Sequence, residues 1–100
     1  MLSRFQLTNA AKSDLAGIAE YTEQHWGVEQ RDKYLAQLDS MFHQLAENPG
    51  LGRACDYIKP GYRKFPVSSH VIYYQTHPGQ ITVVRVLHKN MDVSESIHQH

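Results

Sequence analysis

The stretch Gly61-Tyr-Arg-Lys-Phe-Pro-Val-Ser-Ser-His-Val-Ile-Tyr-Tyr74, followed after a short break by Ile81-Thr-Val-Val-Arg-Val-Leu-His-Lys-Asn-Met-Asp92, decides the fold. Tyr62 to Val67, His70 to Gln75 and Ile81 to Leu87 are rich in β-branched and aromatic residues. Ser68-Ser69 and His77-Pro-Gly-Gln80 separate them as turns, which predicts an antiparallel meander. Strict alternation along the last run puts Thr82, Val84, Val86 and His88 on one face and Ile81, Val83, Arg85 and Leu87 on the other. Arg85 then shares a face with aliphatic side chains, and a guanidinium placed there needs a partner.

Working outward, the first half reads as one strand and two helices. Arg4 to Leu7 alternates polar and apolar as an edge strand would, and Thr8 supplies an N-cap oxygen, with Leu7 placed to pack back on the helix. Ala11, Leu15, Ile18, Ala19, Thr22 and Trp26 fall at helical intervals, and Gly27 offers a stop. A second helix starts at about Val28 with the face Arg31, Tyr34, Leu35, Leu38, Met41, Phe42 and Leu45, and Asn48-Pro49-Gly50 ends it. So short a connection predicts an antiparallel helical hairpin. Residues 48–61 are glycine- and proline-rich yet too hydrophobic for a flexible linker, and Leu51, Tyr57 and Ile58 are expected to pin them across the domain. The expected class is α+β: a strand, a two-helix hairpin and a three-stranded meander, with room for a short C-terminal helix. Residues 1–100 are expected to form one domain.

Composition narrows the function classes. A hundred residues, 41% of them hydrophobic, suffice for one core that buries roughly 60 to 65% of the unfolded surface. The single cysteine, Cys55, excludes an internal disulfide and a Cys-x-x-Cys pair and reads as an inert loop thiol. No apolar run approaches the roughly 18 residues of a membrane span, nor does the amino terminus resemble a signal peptide, so a soluble, cytoplasmic protein is expected. The histidines, among them His25, His43, His70 and His77, lack ligand spacing, and no metal or other cofactor is expected. Net charge is zero but divided: residues 1–50 carry 4 − 7 = −3 and residues 51–100 carry 6 − 3 = +3. A neutral total weighs against holding structured nucleic acid chiefly through phosphates, and no sequence-specific nucleic-acid binding by this chain alone is expected.

The element order, with Leu7-Thr8, Trp26-Gly27, Leu45-Ala-Glu-Asn-Pro49, Gly52-Arg53, Gly61-Tyr-Arg-Lys-Phe-Pro66, Ser69-His-Val-Ile-Tyr-Tyr74 and Arg85-Val-Leu-His-Lys-Asn-Met-Asp92 in sequence, resembles the ParE branch of the RelE/ParE toxin superfamily over nearly the whole chain. The likeness is to chromosomal ParE toxins of Gram-negative bacteria. It implies the toxin of a type II toxin-antitoxin pair that poisons DNA gyrase and blocks replication without chemistry of its own. It also implies neutralisation by a ParD-type antitoxin, with which the toxin would form a hetero-oligomer, and a role in plasmid or chromosome stabilisation.

The superfamily also includes ribosome-dependent messenger RNA endoribonucleases of the RelE type, the alternative reading. RNA cleavage needs a base, an acid and cations around the scissile phosphate. Arg63 and Arg85 correspond to sheet arginines of that branch, and His88, with an ordinary pKa of about 6.5, stands where it could shuttle a proton. Against this, Met91-Asp92-Val93 follow His88, where the ribonuclease branch places a catalytic tyrosine or further basic residues. Arg63 and Arg85 read equally as fold residues whose stems pack and whose guanidinium groups bind carbonyls or carboxylates. The expected gyrase-contacting surface is the polar end of the last strand: His88, Lys89, Asn90, Met91, Asp92 and Val93. The antitoxin is expected to lay an amphipathic helix beside the hairpin, on Leu15, Ile18, Tyr21, Tyr34, Leu38 and Phe42 with the neighbouring Phe65 strand. A domain of this class that keeps its interactions but has lost toxicity is a third reading.

Overall fold

The alternating Phe5-Gln6-Leu7 segment forms strand β1 (Phe5–Leu7) in the computed structural model, which describes residues 4–91. Thr8 turns the chain into helix α1 (Asn9–Trp26), its hydroxyl oxygen accepting the Ala11 N–H at 3.0 Å. That bond satisfies one of the first-turn amides that have no partner inside a helix. Gly27 closes α1 with a φ of 93°, a conformation that side-chain-bearing residues avoid, and helix α2 (Val28–Glu47) begins at the next residue. Arg31 on α2 reaches back to Glu23 on α1, an ion pair that ties the hairpin together at its closed end. Asn48 ends α2, and Pro49, without an amide hydrogen, opens a single 3₁₀ turn over Pro49–Leu51.

The remaining strands are β2 (Arg53–Ala54), β3 (Tyr62–Val67), β4 (His70–His77) and β5 (Gln80–His88), joined into one sheet with β1 in the order β1-β5-β4-β3-β2. The meander β3–β4–β5 is antiparallel as expected, and β1 lies parallel to β5 at one edge. The two-residue β2, at the other edge, has too little sequence to announce itself by periodicity. The class is α+β, a strand, two helices and then antiparallel strands in one sheet, as read from the sequence. A short C-terminal helix would fall in residues 92–100, outside the described residues.

Each face of the sheet has its own apolar cluster. Beneath the helices, Ala11, Ile18, Leu38, Phe42 and Leu45 pack on Val67, Ile72, Tyr74, Ile81, Val83 and Val86. On the far face, Cys55 and Ile58 of the connector cover Tyr62, Tyr73, Val84 and Leu87. Ile58 therefore pins the connector as expected, but Leu51 and Tyr57 do not, for both are exposed. Cys55 does that work instead, and burial raises its thiol pKa, which keeps it protonated and unreactive.

Strict alternation fails in β5. Tyr73 pairs with Arg85 and Tyr74 with Val83, so Val84 is an extra residue, a β-bulge. Beyond it the faces exchange: Val86 joins Ile81 and Val83 under the helices, and Leu87 joins Val84 on the far face. Arg85 thus does not share its face with Leu87, contrary to the alternation. A bulge leaves backbone groups without ladder partners, and α1 supplies them. The Thr8 hydroxyl donates to the Val84 carbonyl at 2.7 Å, and Asp14 accepts the Val86 N–H at 3.0 Å. Trp26, assigned by periodicity to the inner stripe, is instead 71% exposed at the C-terminal end of α1.

Candidate functional site

The exchange of faces in β5 has a consequence for the site. His88 is carried onto the helix side, directly opposite His70 in the ladder, with the two rings edge to face at 5.6 Å. His70 Nδ1 lies 2.6 Å from the Tyr34 hydroxyl of α2, which also lies 3.0 Å from the Val67 carbonyl. One hydroxyl has one proton to give. Both bonds form only if Tyr34 donates to Val67 and His70 donates from Nδ1, which leaves Nε2 of neutral His70 as an acceptor. Burial, reinforced by the charge of His88 and opposed by that of Asp14, lowers the His70 pKa below its ordinary value. Burial likewise raises the Tyr34 pKa.

These groups stand at one side of an open groove of about 920 Å³ between the helical hairpin and the end of the sheet. Asp14, Ile18, Tyr21, Trp26 and Gln30 form its helical wall, and Ser68, His70, Val86, His88 and Met91 its sheet wall. Tyr21, Trp26 and Met91 are the exposed apolar members, and Tyr21 stacks on His25 at 3.9 Å. A groove with apolar walls and a few fixed polar groups is suited to receive an amphipathic segment.

The residues expected at the antitoxin surface divide by position. Ile18, Tyr21 and Tyr34 line the groove. Leu15 and Phe42 border a second, smaller recess of about 370 Å³ against β1. Leu38, contrary to the expectation, is fully enclosed in the core and offers no surface to a partner, and Phe65 packs partly buried against that core from β3, lining neither recess. Of the residues expected to meet gyrase, His88, Lys89, Asn90 and Met91 are exposed. They form a short turn in which the Met91 N–H donates to the His88 carbonyl and the Lys89 N–H to Ser69 of the β3–β4 turn. Asp92 and Val93 lie outside the described residues.

Arg63 and Arg85 are both engaged within the fold. Arg85 binds Asp14 through two bonds, Nε to Oδ2 at 2.7 Å and Nη2 to Oδ1 at 2.8 Å. The carboxylate raises the Arg85 pKa against the opposing effect of burial. Arg63 Nη1 donates to the Gly52 carbonyl at 2.6 Å. The same Gly52 gives its N–H to the buried Tyr74 hydroxyl at 2.8 Å, and that hydroxyl donates to the Pro49 carbonyl at 2.7 Å. Among the described residues, no group of three or more His, Cys, Asp or Glu could hold a metal ion, and no helix is long and apolar enough to cross a membrane.

Two site residues were passed over in the sequence. Asp14 is four residues from Ile18, on the buried stripe of α1, and an acidic residue there is a signal that it answers a buried cation. His70 carried no such signal, since its partners Tyr34 and His88 are brought to it by the hairpin and the bulge.

The architecture is that of a small α+β domain, with a helical hairpin on one face of the sheet and a groove left open beside it. The chain belongs to the family described as the ParE toxin of the type II toxin-antitoxin system parDE, whose profile matches residues 5–93. Toxin ParE1 of Mycobacterium tuberculosis is 46% identical over 98 residues, spanning 97% of this chain and 100% of the relative. Toxin ParE1 of Caulobacter vibrioides is 38% identical over 88 residues, covering 88% of this chain and 91% of its own. Toxin ParE of Escherichia coli is 30% identical over 93 residues, with 92% and 90% covered. A chain of the chromosomal ParDE TA system from P. aeruginosa superposes with a TM-score of 0.73 at 17% identity, over 87% of this chain and 96% of that one, and shares the fold.

Proposed function

We propose that this toxin acts on DNA gyrase by binding alone, and that a ParD-type antitoxin silences it by occupying the groove. The observation that carries the binding reading is the engagement of Arg63 and Arg85. Arg85 is clamped by Asp14 and Arg63 by the Gly52 carbonyl, so turning either toward a scissile phosphate would break contacts that hold the fold. A toxin of this kind needs only selectivity for one state of its target: by binding gyrase better when DNA is cut and covalently attached, it shifts the population toward that state and leaves breaks unsealed. The exposed turn from His88 to Met91 is the contact surface on gyrase, and Asp92 and Val93, next in the sequence, belong to the same candidate set. It adjoins the groove through His88 and Met91, so an antitoxin helix seated on Ile18, Tyr21 and Tyr34 would cover or displace it.

The test is to incubate the purified chain with gyrase, supercoiled plasmid and ATP, and to look for linear DNA after detergent and protease treatment. Protein-linked linear DNA is the expected result, suppressed by prior addition of the antitoxin. A folded chain that yields neither cleaved DNA nor a block of supercoiling overturns the reading. Cleavage of messenger RNA in a translation reaction, abolished by His88→Ala in a chain whose circular dichroism is unchanged, would establish the ribonuclease alternative.

A further inference from the structure

The zero net charge of the chain conceals a concentrated basic face. Residues 53–64 hold Arg53, Lys59, Arg63 and Lys64 against Asp56 alone, 4 − 1 = +3, which equals the whole excess of the second half. Arg63 points to the helix side and is bound to Gly52. The other three cations belong to the far side of the sheet. Arg53 and Lys64 are direct cross-strand partners in the β2–β3 ladder, and the alternation of β3 places Lys64 on the face of Tyr62. Lys59 stands 5.9 Å above the Tyr62 ring. Like charges directly opposite in a ladder repel, an arrangement that an anion relieves.

Aromatic rings are interleaved with these cations. Lys64 Nζ donates to the Tyr57 hydroxyl at 2.8 Å and lies 5.6 Å from that ring's centre. Tyr57 is 72% exposed, so much of its ring is open to a planar group. Asp56, the one acidic residue of the stretch, turns its carboxylate onto the Gly61 N–H at 2.8 Å and leaves a net charge of +3 among these residues.

From this arrangement we propose that the face built by Arg53, Tyr57, Lys59 and Lys64 binds the phosphate backbone of nucleic acid without reading its sequence, with Tyr57 as a stacking platform where bases are unpaired. An acidic peptide would answer the charges but would leave the exposed ring unused, and alternating cation and ring is the pattern suited to nucleic acid. The face lies across the sheet from the groove, so nucleic acid and an antitoxin in the groove can be held together. The inference does not depend on gyrase being the target.

The experiment is fluorescence anisotropy of a labelled 20-mer oligonucleotide, single-stranded or duplex, titrated with the purified chain at several salt concentrations. Three phosphate contacts predict a slope of log affinity against log salt of about −2.7 on duplex and about −2.1 on single strands. The R53Q/K59Q/K64Q variant, changed only at positions outside both core clusters, is expected to weaken binding at least tenfold with its circular dichroism unchanged. Tyr57→Ala should weaken the single strand more than the duplex. K12Q/K33Q removes two charges from the helices and is expected to leave affinity as it was. Equal loss from the helix and sheet variants, affinity indifferent to salt, or tighter binding of poly-glutamate than of the oligonucleotide overturns the proposal. Each of these can occur while gyrase is still poisoned, so this proposal and the gyrase reading fail separately.

Discussion

Asp14 holds Arg85 with both carboxylate oxygens and also accepts the Val86 N–H, so one side chain of α1 anchors the strand where its ladder is interrupted. Each side chain is only 13% exposed, which limits the replacement of these bonds by water. Removing one partner of a buried pair costs far more than the pair itself contributes. Asp14→Ala is expected to lower the unfolding free energy by about 3 kcal/mol, measured by urea denaturation. Arg85→Met should cost less, since Asp14 keeps the Val86 bond. The double variant D14A/R85M should be more stable than the sum of the single losses implies, the mark of direct coupling. Additive losses would show that the two residues act independently.

Gly52 and Tyr74 are fitted to one another in a way that excludes any side chain. A Cβ built on Gly52 would stand 2.2 Å from the Tyr74 hydroxyl and under 3 Å from two ring carbons. Tyr74 is fully enclosed and cannot yield. Gly52→Ala is therefore expected to destabilise the fold by about 1 to 3 kcal/mol, the range for overpacking. Tyr74→Phe removes the hydroxyl that joins Pro49 to Gly52, for a loss of about 1 to 3 kcal/mol. Together the two changes should cost less than their sum, because the hydroxyl is the nearest obstacle, but without full recovery, since the ring carbons remain. Thermal melts of the three variants decide it.

His70 gives the fold a dependence on pH whose sign is fixed by its environment. Burial and His88 lower its folded pKa below the value of about 6.5 that it regains on unfolding. The unfolded chain then binds the proton more readily, so this residue's contribution is fully present above about pH 6.5 and declines as pH falls through the window down to the lowered folded value. The Tyr34, His88 and Asp14 side chains are the titratable groups that face it. His70→Gln is expected to lose less stability than the parent between pH 7 and 5.5, measured by urea midpoints. Parallel curves would remove His70 from the account.

The sequence disclosed what depends on local rules. Thr8, Gly27 and Asn48-Pro49 mark helix ends because a cap, a left-handed residue and a missing amide act within a few residues. It did not disclose β2, which is two residues long, nor the bulge at Val84, which exists because Thr8 and Asp14, more than seventy positions away, satisfy the backbone it disrupts. The site inherits that limit. Ile18, Tyr21 and Tyr34 were legible as an apolar face, but only the tertiary fold separates them from Leu38, which the same periodicity selects and the core encloses. That Arg85 requires a partner followed from its aliphatic neighbours, whereas the partner's identity waited on the packing of α1.

Trp26 offers the sharpest examination of the groove. It is the only tryptophan in the chain, is 71% exposed, and stands in the helical wall. Its emission therefore reports on that wall alone, provided the partner carries no tryptophan. An amphipathic antitoxin helix laid in the groove must remove water from the indole, so a blue shift of emission is expected on titration with the antitoxin. Exposed aromatics that become fully covered commonly dominate binding. Trp26→Ala is accordingly expected to weaken the complex by about 2 kcal/mol, roughly thirtyfold in affinity. Its effect on the stability of the free toxin should be small, because the ring contributes little to either core cluster. A complex that forms with unchanged emission and tolerates Trp26→Ala would place the antitoxin elsewhere, and the smaller recess between Leu15 and Phe42 would then be the surface to vary.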